Sequence, residues 1–92
     1  MEASRRIRRS DRAVFRELTE DEGGVLLHLD SGAYHGLNAM GTLIWGLIGD
    51  GTELRELVEE VRTRLSDPPA GLEADVTAFI EDLSERDLLS LD

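Results

Sequence analysis

Cysteine and lysine are both missing from this 92-residue chain, and proline occurs only twice. Without cysteine there is no disulfide framework, no thiolate metal site and no thiol nucleophile, so stability has to come from packing alone. Without lysine, and with no Gly-rich phosphate-binding pattern, a phosphate-cradling loop is unsupported. No apolar stretch of signal-peptide length opens the chain, and no segment approaches the roughly eighteen uninterrupted apolar residues of a membrane span. The expectation is a cytoplasmic protein with no membrane partner. The length suits one domain with a single modest core, too small to add a buried active-site cavity and its scaffold.

What the chain does have is charge, unevenly placed. Residues 1–16 carry six Arg against Glu2 and Asp11, a net of +4, whereas residues 17–92 carry four Arg against eighteen acids, a net of -14. A body this acidic repels a phosphate backbone and attracts basic polypeptide, which argues against nucleic acid as the main partner. The run Arg5, Arg6, Arg8, Arg9 and Arg12 reads as a solvated basic tail over residues 1–12, with a partner-docking arm as the alternative. The domain proper is expected over residues 13–91.

Within it, residues 13–18 (AVFREL) are rich in strand formers and end in a polar cluster over residues 19–24, a strand followed by a turn. Residues 25–29 (VLLHL) form a second strand, Asp30, Ser31 and Gly32 a short loop, and Tyr34–Leu37 a third strand hairpinned to the second. If residues 30–32 are the whole loop, Leu29 faces Ala33, and Val25, Leu27, Leu29, His35 and Leu37 share a face. A two-residue loop swaps the partners of Tyr34 and His35. The first register is preferred because it groups Leu37 with the other large aliphatics.

Asn38 is a good N-cap for a helix over Ala39–Ile48, and Thr52 for a second that runs to about Leu65. The Pro-Pro stretch over residues 66–71 breaks the chain. A third helix then carries the apolar stripe Leu72, Val76, Phe79, Ile80 and Leu83, flanked by Asp75, Asp82 and Arg86 on one side and by Glu73 and Asp87 on the other. Ile80 is expected at the margin of that stripe and partly accessible. Leu88, Leu89 and Leu91 form a tail that folds back on the core. The order is three strands and then three helices, an α+β domain with a three-stranded antiparallel sheet.

Chemistry is hard to find. His28 and His35 are the only imidazoles, and a zinc site wants three or four ligands where no third has helpful spacing. The acids of the second helix lie on its solvent side, without the burial that shifts a catalytic carboxylate. Ser31 beside His35 lacks an oxyanion-binding element. No enzyme activity, metal or cofactor is expected, and what remains is a binding surface.

Residues 26–37 (LLHLDSGAYHGL), joined to Asn38 and a helix containing Ile44-Trp45, resemble the hairpin and first helix of PqqD-like proteins. These are the recognition elements for ribosomally made precursor peptides, and the chain is most similar to the discrete leader-binding proteins of lasso-peptide pathways. Gly51-Thr52-Glu53-Leu54, Asp75-Val76 and Asp87-Leu88-Leu89 extend the likeness over residues 14–89.

The resemblance implies a winged-helix-like fold and non-catalytic capture of a leader peptide. The leader lies antiparallel to the third strand, between it and the third helix, and is presented to a leader peptidase and a macrolactam-forming cyclase. The implied site residues are Tyr34, His35, Gly36 and Leu37 on the strand, with Val76, Phe79, Ile80 and Leu83 as the helix wall and Asp75 and Asp82 beside it. Strand addition contributes only about 0.5 to 1.5 kcal/mol per backbone bond, against roughly 4 to 15 kcal/mol lost on association. Two or three buried peptide side chains are therefore also needed. The alternatives are a chaperone for a radical-SAM peptide-modifying enzyme, and a winged-helix DNA-binding domain, which would call for a basic recognition helix.

Overall fold

A computed structural model of the chain describes residues 1–18 and 23–92. The turn expected within the polar cluster falls partly on residues 19–22, outside the described residues. The chain folds as an α+β domain with antiparallel strands and three helices, as the patterning suggested.

The strands form two sheets where one was expected. One sheet runs in the order β2 (Ala13–Glu17), β3 (Gly24–His28), β4 (Tyr34–Leu37), all antiparallel. The other has β1 (Arg6–Arg9) at its centre, between β5 (Thr52–Glu53) and β6 (Leu89–Leu91). The basic segment is thus no tail over residues 1–12. Ile7 is 0 % exposed and pairs with Thr52 on one side and Leu91 on the other. One isoleucine in a run of arginines is too weak a periodic signal to announce a strand, and its partners lie far along the chain.

The same pairing overturns the cap expected at Thr52. The helix α2 (Leu54–Arg64) starts without a side-chain cap, because its first N–H groups donate to the N-terminal segment: Leu54 N–H to Arg5 O at 3.0 Å and Arg55 N–H to Ala3 O at 2.9 Å. By contrast α1 (Ala39–Ile48) is capped as its sequence suggested, with Asn38 Oδ1 accepting from Gly41 N–H at 2.8 Å.

The hairpin closes with neither the three-residue nor the two-residue loop: His28 N–H donates to Ala33 O and Gly32 N–H to His28 O, so the loop spans residues 29–32 and the strand pairing shifts by one from the preferred register. Leu26 pairs with His35 and Leu27 with Tyr34, so Gly24, Leu26, His28, His35 and Leu37 share the inner face. Val25, Leu27 and Tyr34 face outward. The loop ends on Gly32 at φ 73°, a left-handed position that suits glycine. His28, buried at the end of β3, makes this register the stable one, since its ring bonds the loop amides from the inner side.

The core gathers Ile7, Leu26, Ile44, Trp45 and Ile48 with the buried face of α2 and with Leu72, Val76, Ile80 and Leu83 of α3 (Leu72–Glu85). Trp45 links the two sheets: Phe15 of β2 stacks near it at 6.4 Å between ring centroids, and the Arg9 guanidinium of β1 lies 4.9 Å from its ring. Arg9 also donates to Trp45 O at 2.6 Å, tying β1 to the last turn of α1. Partial burial lowers the pKa of that guanidinium, against the pull of Asp50.

Candidate functional site: an open strand edge beside a helix

Among the described residues β4 is the last strand of its sheet, bonded to β3 only. His28 N–H donates to Ala33 O at 2.9 Å, which makes residues 28 and 33 a hydrogen-bonded pair. Antiparallel pairs alternate, so His35 and Leu37 also spend their backbone groups on β3, while Tyr34 and Gly36 turn N–H and C=O off the open edge. Four backbone groups thus await a strand, and a Cβ placed on Gly36 would meet nothing within 4 Å. Such an edge is a template for strand addition.

Beyond it runs α3. Asp75, Phe79 and Asp82 of α3 and Arg86 just past its end, spaced by three and four and adjoining the buried stripe, border the β4 side. His35 Nε2 comes within 3.9 Å of Asp82 Oδ2. Arg86 Nε bonds Asp82 Oδ1 at 3.2 Å one turn on. Phe79 packs on the start of α1, where a Cβ on Gly41 would lie 3.1 Å from its ring and 3.4 Å from the Leu37 side chain; glycine there allows the close approach.

A hollow opens at each end of this strip. The one past Leu37 holds about 200 Å³, lined among others by Met40, Ile44, Leu72, Asp75 and Phe79. The one beside Tyr34 and His35 holds about 220 Å³, with His28, Arg86 and Leu88 on its walls. The first is mainly apolar with one carboxylate at its rim, fit for an apolar side chain. The second is more polar.

The expected site residues are only partly brought together. His35, Gly36, Asp75, Phe79 and Asp82 line or border the strip. Leu37 is buried with its side chain in the core. Val76, Ile80 and Leu83 are each 0 % exposed, so Ile80 is core and not the accessible margin that was expected. The buried centre of the stripe runs through Val76, Ile80 and Leu83, and of its members only Phe79 remains partly open. Tyr34 is 74 % exposed, but its ring lies on the outer sheet face with Val14 and Leu27, not toward α3.

Met40 and Ile44 were missed as lining residues. The signal was the breadth of the apolar band on α1, wider than one buried face requires. The loop itself is fastened from outside by Arg12, whose Nη2 reaches Asp30 Oδ1 at 2.6 Å. That bond holds the Asp30 carboxyl below the usual carboxylate range. Among the described residues no group of three His, Asp or Glu side chains is placed to hold a metal ion, and no helix is long and apolar enough to cross a membrane.

Fold and site define a small α+β domain that offers an open strand edge next to a helix. The profile of the family described as coenzyme PQQ synthesis protein D (PqqD) matches residues 23–89, and the chain belongs to that family. Among solved structures it is similar to TbiB1 in complex with the TbiA(beta) leader peptide. The two are 33% identical with a TM-score of 0.77, over 90% of this chain and 94% of that one. A comparison with curated proteins gives no match.

Proposed function

We propose that the chain binds the leader segment of a ribosomally made precursor peptide as an added strand on β4, and that it does no chemistry itself. The observation that carries this is the open edge at Tyr34 and Gly36, with the Phe79 face of α3 beside it. Membership of the PqqD family and the likeness to a leader-bound TbiB1 support it. Backbone bonds to the edge give the peptide its register, and side chains seated in the two hollows give selectivity. Asp75 and Asp82 favour basic residues in the leader.

The finer proposal is a lasso-type pathway, in which the bound leader is handed to a leader peptidase and a macrolactam-forming cyclase. It rests on the sequence pattern from the hairpin into α1.

Gly36 provides the test. Gly36→Pro removes an N–H that β3 does not use and sets a ring where the incoming strand must lie, while leaving the β3 pairing intact. With a fluorescein-labelled TbiA(beta) leader as probe, polarisation should show at least about a tenfold loss of affinity, or about 1.4 kcal/mol. Gly36→Ala, which keeps the N–H, should bind as the wild type does. Equal binding by both variants would rule out strand addition at β4.

A further inference from the structure

Asp87 is, among the described residues, the one non-glycine with a positive φ, 59°. It stands just past α3, where Leu88 N–H donates to Leu83 O at 2.9 Å and Asp87 N–H to Ser84 O at 3.1 Å. These are the paired bonds of a Schellman stop, and the left-handed place in it usually belongs to glycine, because a Cβ crowds the following carbonyl there. An aspartate bears a backbone cost that the helix stop does not require. What it gains is a contact: Asp87 Oδ2 lies 2.9 Å from His28 Nε2 at the end of β3.

His28 is poised for that contact. Its Nδ1 lies 3.2 Å from the backbone N of Asp30 and 3.3 Å from that of Ser31, and both N–H groups donate to it. A nitrogen that accepts from two donors carries no proton, so the neutral ring holds its hydrogen on Nε2 and donates it to Asp87. One side of the imidazole thus organises the turn that leads into β4, and the other grips the end of α3. Ser10 N–H donates to Leu88 O at 3.1 Å and ties the end of α3 to the segment before β2. Among the described residues, however, His28 with Asp87 is the contact of hydrogen-bond length that joins that end to the β3–β4 hairpin itself. His35 and Asp82 stand 3.9 Å apart, and Arg12 with Asp30 fastens the loop to the start of β2, not to α3.

We infer that His28 and Asp87 form a latch that sets the spacing between β4 and α3, and so act as positioning residues for the peptide taken up between them. The role in binding rests on the function proposed above; the latch itself does not.

Two variants separate the carboxylate from the backbone. Asp87→Gly keeps the left-handed conformation at no steric cost and removes the acceptor, while Asp87→Asn tolerates that conformation and keeps a carbonyl oxygen for His28. Asp87→Gly should melt within about 3 °C of the wild type, since relief at the helix stop offsets the lost bond. It should nonetheless bind the labelled leader about tenfold more weakly, and Asp87→Asn should recover most of the affinity. Nitrogen-15 shifts of the free protein report the latch directly: His28 in the wild type and in Asp87→Asn should show a bare Nδ1 and a protonated Nε2.

A folded Asp87→Gly protein with wild-type affinity would overturn the positioning role. A wild-type His28 protonated on Nδ1 would overturn the latch. If the wild type ignores the leader yet shows the expected tautomer, the latch stands and the leader-binding reading falls, so the two failures are told apart.

Discussion

Phe79 and Ile80 adjoin in the chain, yet α3 turns them to different surroundings. Ile80 is wholly enclosed, whereas Phe79 leaves part of its ring open beside Leu37 and Gly41. A carboxylate at position 80 would be buried without a partner at a cost of several kcal/mol, a large share of the roughly 5 to 15 kcal/mol that holds a domain together. Ile80→Asp should therefore lose its cooperative thermal transition in circular dichroism, and it tests the core, not the site. Phe79→Asp places the charge where a bound peptide would cover it while water still reaches it in the free protein. It should melt cooperatively and lose leader affinity by about a hundredfold or more by fluorescence polarisation, near 2.8 kcal/mol. A folded Phe79→Asp protein with unchanged affinity would remove α3 from the site.

Among the elements, β1 is the one whose role was least evident. It is the middle strand of its sheet, and its backbone holds β5 and β6 together while the segment before it satisfies the opening N–H groups of α2. Read as a solvated tail, the segment would be dispensable. With Ile7 enclosed and Arg9 stacked on Trp45, deletion of residues 1–9 should instead abolish the cooperative melt. Ile7→Ala alone should cost about 2 to 5 kcal/mol in a urea titration, by the usual toll of a large core truncation. A truncated chain that melts like the full one would show that the β2-β3-β4 sheet and the helices suffice.

For the molecule as a whole, the arrangement of charge decides between peptide and nucleic acid. A winged-helix DNA reader needs an uncommitted basic helix. Here α2 balances three Arg against three Glu, α3 carries five acids and no basic residue, and many arginines already have partners: Arg8 with Asp92, Arg12 with Asp30, Arg55 with Glu53, Arg62 with Glu59 and Arg86 with Asp82. Such surface pairs add little stability, about 0 to 1 kcal/mol each, but they leave those guanidiniums half neutralised toward phosphate. No retardation of duplex DNA is expected in a gel shift at 150 mM salt. A shift that weakens steeply as salt rises would revive the DNA reading.

The sequence by itself determined what depends on neighbours a few residues away. The bounds of α1 with its Asn38 cap, the extent of β4, the stop over residues 66–71 and the flank of α3 that carries Asp75, Asp82 and Arg86 all follow from short-range periodicity and capping. Only the tertiary structure decided the rest. Strands of two to four residues such as β5, β6 and β1 hold no period long enough to read, and they exist because Ile7, Thr52 and Leu91 meet across the fold. The hairpin register turned on a buried histidine whose partner lies at the far end of α3. The side of the apolar stripe that stays open was settled by what packs on it, and a single helix cannot announce from its own sequence how much of its apolar face its neighbours will cover.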